Sequence, residues 1–282
     1  MEKRKWSLWR IKVLLIIMAG YLMAFPWSDV GHKTIAIIAE KNLRPETLKK
    51  IKQLLPNGET MTDLSIEADN LTKTKPATAS WHYINLPVHE DIGMEDVRQY
   101  ESKGRREGNN VISQTKKNFD FLKTGWGSHK EKQEALMYLI HFMGDVHMPL
   151  HVGDDNYQRG SRRQVVFFRS DAKTDRGRST NLHVLWDNLI EVKAVDDPEE
   201  LGKKLAADIS IAEKGEWGKG TVENWAYESY QVAKKVYAAI PQRRVIFNLP
   251  RNYYAEMRPI ADKQLEKAGI RLAILLEELF GK

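Results

Sequence analysis

Apolar side chains recur at helical spacing in Thr34–Leu43, Glu46–Leu55, Asn110–Leu122, Glu131–Asp145, Pro198–Ala212, Val222–Ala239 and, most clearly, Ile260–Phe280. Each segment predicts an amphipathic helix whose apolar stripe must be buried against another element, so the chain reads as all-α, a mainly helical single domain. Strand signals are confined to Gln164–Phe168, flanked by polar runs, which predicts a surface loop with at most a short hairpin. The polar stretch Ser102–Asn109 and the basic stretch Asp171–Ser179 read as loops within that domain.

The first residues follow a different pattern. Lys3, Arg4, Lys5, Arg10 and Lys12 stand against Glu2 and precede an apolar run from Val13 to Phe25, after which the chain turns abruptly to Pro26-Trp27-Ser28-Asp29. A basic region followed by a short apolar core is the pattern of a secretory signal peptide. The run is shorter than the roughly 20 residues that a spanning helix requires, so no permanent membrane anchor is expected. Residues 1–26 are therefore expected to direct export and residues 27–282 to form the working domain, periplasmic or secreted, with removal before Trp27 and removal after Ala24 as the two alternatives.

Charge and composition narrow the chemistry. The N-terminal segment supplies +4 of the chain's formal +6, so global charge does not by itself point to nucleic acid. There is no cysteine, which excludes disulfide scaffolds, thiolate nucleophiles, iron–sulfur clusters and cysteine zinc fingers. A metal would have to sit on His, Asp, Glu or backbone groups.

Eight histidines remain to be explained. In His141-Phe-Met-Gly-Asp145-Val-His147-Met-Pro-Leu-His151, His141 and Asp145 are one helical turn apart and project from one face, where they can hold one ion. Pro149 should end that helix and let His151 address a different ion. Asn181-Leu-His183-Val-Leu-Trp-Asp187 repeats the His–Asp spacing, and its ion could be the one that His151 sees. His147 reads as a residue orienting a ligand or its helix; His89 and His129 read as exposed. Clustered His and Asp without cysteine suit zinc, and clustered divalent ions suit phosphate-ester hydrolysis. Carboxypeptidase-like hydrolysis and structural zinc fit the same residues.

Taken together, Trp27-Ser-Asp-Val-Gly-His32, Ala68-Asp69, Trp81-His82-Tyr83-Ile84-Asn85, HFMGDVHMPLH, NLHVLWD and the run KAGIRLAILL at 267–276 resemble the trinuclear-zinc family of fungal single-strand-specific nucleases and plant bifunctional nucleases, and more distantly the bacterial zinc-dependent phospholipases C. The resemblance covers essentially all of the exported region. It implies three zinc ions: one held by Asp69, His82, His141 and Asp145; a second by His151, His183 and Asp187; a third by His32, Asp145 and the α-amino and carbonyl groups of Trp27, with Asp145 as a bridge. It implies catalysis by a metal-activated hydroxide at a centre built on Asp69 and Asp145, acting on single-stranded DNA or RNA to leave 5′-phosphorylated products, and on nucleoside 3′-monophosphates. No protein partner is implied.

For the substrate, the resemblance places a base-stacking aromatic at Tyr83, and Asn85 is a candidate for the base edge. Departures from the family pattern lie in the same region. Glu67 stands where a tryptophan is usual, and Thr72, with Lys73 beside it, stands where a phosphate-contacting basic residue is usual. Gln158-Arg-Gly-Ser-Arg162 stands where Asp-Arg-Gly-Gly-Asn is usual, leaving Arg162 as a candidate phosphate contact. Met148 replaces a common glutamine. Asp187 as last ligand and the 32-residue interval from His151 to His183 favour a nuclease over a phospholipase C. A non-catalytic zinc-binding helical protein is the alternative of another class.

Overall fold

The computed structural model describes residues 27–107, 109–168, 177–189, 197–240 and 246–281. The proposed signal segment 1–26 and most of the basic stretch 171–179 lie outside the described residues.

The helices in chain order are α1 (Asp29–Lys41), α2 (Pro45–Leu54), α3 (Met61–Thr72), α4 (Met94–Glu107), α5 (Val111–Thr124), α6 (His129–His147), α7 (Pro149–Val152), α8 (Leu182–Asp187), α9 (Pro198–Asp208), α10 (Ile211–Trp217), α11 (Val222–Ala238) and α12 (Tyr253–Phe280), with a 3-10 helix at Pro76–His82. All seven periodic segments are helical. Pro198–Ala212 is divided where Ser210 and Glu213 form a capping box that starts α10. Ile260–Phe280 gains about two further turns at its start, Tyr253–Pro259, with Pro259 inside the helix, where it leaves the Ala255 carbonyl without its intrahelical N–H. Ser102–Glu107, read as loop, belongs to α4, whose sequence is so polar that only Val97 and neighbouring apolar positions mark its inner face.

At the centre is α6, buried from Ala135 to His147 on every side. It packs against α3, α5 and α12, with α1 crossing nearby, so its last two turns are walled in by helices. Ser128 and Glu131 close a capping box at its start, and Pro149 opens α7 after Met148 leaves helical geometry, as the sequence predicts. A close crossing of α1 over α12 depends on Gly269: a Cβ there would lie 2.5 Å from Ile38 Cβ.

Strands serve as fasteners. β1 (Leu86–Pro87) runs parallel to β2 (Gly153–Asp154), tying the chain after His82 to the chain after His151. β3 (Gln164–Phe167) pairs antiparallel with β4 (Arg178–Asn181), so Arg178 and Ser179, read as loop, are strand because they find β3 as a partner; β5 (Ile246–Asn248) adds in parallel on the other side of β3, a strand that the sequence pattern did not mark. No helix among the described residues is long and apolar enough to cross a membrane.

Candidate metal centre

Local rules of helix capping and pairing bring the sequence-predicted residues together. The Asn181 side chain accepts from the Val184 N–H at 2.8 Å and so starts α8, which puts His183 and Asp187 on one face. The indole N–H of Trp186 donates to Tyr253 Oη at 2.9 Å and fixes α8 to α12. The Ser28 N–H donates to the Asp187 carbonyl at 3.0 Å, so the buried Trp27 sits beside that helix. The Ile84 N–H donates to the His151 carbonyl while His151 Nδ1 lies 2.8 Å from the His82 carbonyl, locking the two segments in register.

Four donors converge first. His82 Nδ1 lies 3.0 Å from Asp145 Oδ2, 3.0 Å from His141 Nε2 and 3.4 Å from Asp69 Oδ1. His141 Nε2 is 3.2 Å from Asp145 Oδ2 and 3.5 Å from Asp69 Oδ1. Donors placed about 2.0–2.2 Å from one zinc ion at tetrahedral corners would be about 3.3–3.6 Å apart, so these edges fit a single ion. His151, His183 and Asp187 form a second group. His32 approaches the first group from α1: its ring stacks on that of His141 with centroids 4.0 Å apart, and Nε2 is 3.7 Å from Asp145 Oδ1. Asp69, His32 and His141 also meet closely enough to share an ion. Gly144 makes room for this approach, since a Cβ there would lie 2.7 Å from the His32 ring.

The histidine tautomers support the same reading. Nδ1 of His141 faces the Ser65 carbonyl at 2.7 Å, that of His151 the His82 carbonyl at 2.8 Å, and that of His183 the Arg159 carbonyl at 2.8 Å. A carbonyl can only accept, so each Nδ1 carries the proton and each Nε2 offers a lone pair. Nε2 of His151 and His183, both ring nitrogens of His32 and one carboxylate oxygen each of Asp145 and Asp187 are buried without a hydrogen-bond partner. Unpaired buried polar atoms are costly, and such a concentration of lone pairs fits divalent cations with affinity for imidazole and carboxylate.

His147 is different. Its Nδ1 lies 2.7 Å from the Met143 carbonyl and its Nε2 takes a hydrogen bond at 2.9 Å from Arg271, whose guanidinium also grips Glu228. Both nitrogens are used, and the residue anchors α6 to α12. His89 and His129 are exposed.

Burial and mutual repulsion set the protonation states. Burial lowers His32 and His82, and burial together with the neighbouring His151 lowers His183. Burial, with the Asp145 charge added, pushes Asp69 up to about 7, and burial raises Asp187 well above the usual carboxylate range. Burial opposes a charged His141, but Asp145 and Asp69 outweigh it and hold this imidazole at about 9. Burial likewise opposes a charged Asp145, yet His141 and His151 keep it well below the ordinary value. At pH 7 the metal-free centre therefore carries a proton on His141 and on part of the Asp69 population, which an entering cation must displace. Zinc binding is expected to release protons and to strengthen between about pH 6 and pH 9. Calorimetry in buffers of different ionisation enthalpy checks this, and a binding heat independent of buffer would contradict it.

Of the substrate candidates, Tyr83 and Asn85 meet at the Arg159 guanidinium, which lies 3.6 Å over the Tyr83 ring centroid and donates to Asn85 Oδ1 at 3.2 Å. Lys73 instead donates to Asn70 on the exposed flank of α3, and Arg162 is exposed. Arg159 is one of three arginines between residues 159 and 163, and nothing in the sequence marks it over Arg162, because its place is set by the backbone of the loop.

A helical frame thus closes histidines and aspartates around shared points that could hold metal ions. The chain belongs to the S1/P1 nuclease family, whose pattern it matches over residues 27–281. It is 27% identical over 294 residues to Endonuclease 2 of Arabidopsis thaliana, covering 95% of this chain and 97% of that protein. Endonuclease 4 of the same plant is 28% identical over 306 residues, covering 98% and 95% respectively. Nuclease P1 of Penicillium citrinum is 26% identical over 283 residues, covering 90% and 98%.

Proposed function

We propose that this protein is a zinc-dependent phosphodiesterase that hydrolyses single-stranded DNA or RNA to 5′-phosphorylated products and removes phosphate from nucleoside 3′-monophosphates. The observation that carries the reading is the convergence of imidazole lone pairs and carboxylate oxygens, buried and unpartnered, in a chain that matches the S1/P1 nuclease family over residues 27–281. Asp69, His82, His141 and Asp145 would hold one zinc; His151, His183 and Asp187 a second; His32 and Asp145, with the amino and carbonyl groups of Trp27, a third. Bound zinc supplies Lewis acidity, lowering the pKa of water and offsetting negative charge on phosphoryl oxygens.

The protein's own part is orientation. Backbone carbonyls of Ser65, His82 and Arg159 fix three imidazoles in the ligating tautomer. Asp145, placed between His32, His82, His141 and His151, presents both oxygens to neighbouring donors. Tyr83 and Asn85, one and three residues after His82, would meet an unpaired base beside the centre, and aromatic stacking suits single strands because every base has a π-face. Residues 1–26 would serve for export to the periplasm or beyond, and their removal before Trp27 would free an α-amino group next to Asp187.

The test is hydrolysis by the purified exported form, with its first residue determined by mass spectrometry. The substrates are single-stranded DNA, RNA, a nucleoside 3′-phosphate and a phosphatidylcholine. Cleavage of both nucleic acids to 5′-phosphate ends, with phosphate release from the nucleotide, is expected. Preferential lipid cleavage would place the protein with the phospholipases C, and bound zinc without turnover would make it a non-catalytic binder.

A further inference from the structure

The loop that follows β2 has an unusual backbone. Asn156, Gln158 and Arg159 have φ of 68°, 52° and 55°, followed by Gly160 at 84°, so three side-chain-bearing residues occupy the left-handed region that normally favours glycine. A dense set of bonds imposes this shape. Asp154 Oδ1 accepts from the Arg159 N–H at 2.7 Å, and Asp155 Oδ1 from the Tyr157 N–H at 3.2 Å. The buried Arg163 donates to Asp155 Oδ2 at 2.7 Å and stacks on Tyr157 with its guanidinium carbon 3.7 Å from the ring centroid.

What the loop delivers is Arg159. Its carbonyl receives His183 Nδ1–H at 2.8 Å, and its guanidinium lies across Tyr83, the neighbour of His82, with one N–H on Asn85. One residue thus bridges the segments that contribute His82 and His183, a ligand of each principal group. Among the described residues the guanidinium forms no ion pair with a carboxylate, so most of its five N–H donors remain for a ligand. Where the family resemblance expects a basic phosphate contact, this chain has Thr72, uncharged and buried, which donates to the Asp69 carbonyl at 2.7 Å, and the adjacent Lys73 is engaged by Asn70.

We propose that Arg159 is a positioning residue that grips the non-bridging phosphate oxygens of the substrate, taking the role left open by Thr72, and that Tyr83 and Asn85 form its cradle. This rests on the phosphodiesterase reading for its substrate but not for its test. A planar guanidinium held by stacking and one amide contact is pre-organised for two parallel N–H···O bonds to a phosphate, which an ammonium cannot make.

Inorganic phosphate is the probe, titrated by calorimetry into the zinc-loaded wild type, R159A and R159K. Arg98→Ala, on the exposed side of α4, is the control. R159A is expected to bind phosphate at least about tenfold more weakly, as loss of a charge-assisted hydrogen bond implies, with R159K recovering part of the affinity and the control none changed. Zinc content should stay at the wild-type value, because the contact to His183 uses the backbone carbonyl. With a nucleoside 3′-phosphate, KM should rise about tenfold while kcat stays within about threefold. Unchanged phosphate affinity in zinc-replete R159A would overturn the proposal, as would full recovery in R159K, which would reduce the role to charge alone. If R159A loses zinc, R159K decides by the same criterion. A protein that binds phosphate through Arg159 yet cleaves no nucleic acid would keep this inference and lose the proposed function.

Discussion

Replacing Asp145 by asparagine is expected to abolish hydrolysis while leaving the helical fold in place. Asp145 is fully buried on the last turn of α6, with Oδ2 3.0 Å from His82 Nδ1 and 3.2 Å from His141 Nε2, and Oδ1 directed towards His32 and His151. Asparagine has nearly the same shape but only one oxygen and no charge, so it can serve one ion weakly and cannot bridge two. Changing a group that merely supports a metal ligand typically costs 10- to 100-fold, and losing the bridge itself should cost at least about 100-fold in activity. Bound zinc should fall from about three ions per chain to about one, since His151, His183 and Asp187 keep their donors. Metal analysis and far-UV circular dichroism on the same sample check both halves. Near wild-type turnover with full zinc would remove Asp145 from the centre.

Stripping the metal from the wild-type protein should lower stability as well as activity. Without cations, the ring nitrogens of His32, Nε2 of His151 and His183, and single oxygens of Asp145 and Asp187 are buried with nothing to bond. Each such group costs about 1–3 kcal/mol, and ions that bind only the native state at a thousandfold excess over Kd stabilise it by about 4 kcal/mol per site. At about 2–4 °C per kcal/mol for a chain of this size, chelation should lower Tm by about 10 °C or more. Zinc should restore both Tm and turnover, and magnesium should not, because magnesium favours octahedral oxygen ligands and retains its water. Calorimetric scans before and after chelation supply the test; an unchanged Tm with full activity would contradict a metal centre.

Much of this was legible in the sequence because helical periodicity and one-turn His–Asp spacing are local. The pairing of His141 with Asp145 and of His183 with Asp187 follows from α-helical geometry once α6 and α8 form. Pro149 correctly separates the His141 and His151 groups. What was not legible depends on long-range backbone placement. α3, rich in Ser, Thr and Asp, has a weak apolar stripe, yet it carries Asp69 and the Ser65 carbonyl that orients His141. α4 has too few apolar residues for its period to show. Trp126, a residue type that is usually largely buried, is 80% exposed on the turn after α5. Arg159 was hidden among neighbouring arginines because its position follows from left-handed backbone geometry, which residue type does not encode outside glycine.

The most direct measurement is anomalous X-ray scattering from a crystal of the zinc-loaded mature protein, collected on both sides of the zinc absorption edge. Three peaks are expected, each about 2.0–2.2 Å from its donors. One should lie among Asp69, His82, His141 and Asp145, one among His151, His183 and Asp187, and one beside His32, Asp145 and the Trp27 terminus. Peaks on other residues, or none within this cluster, would contradict the trinuclear centre.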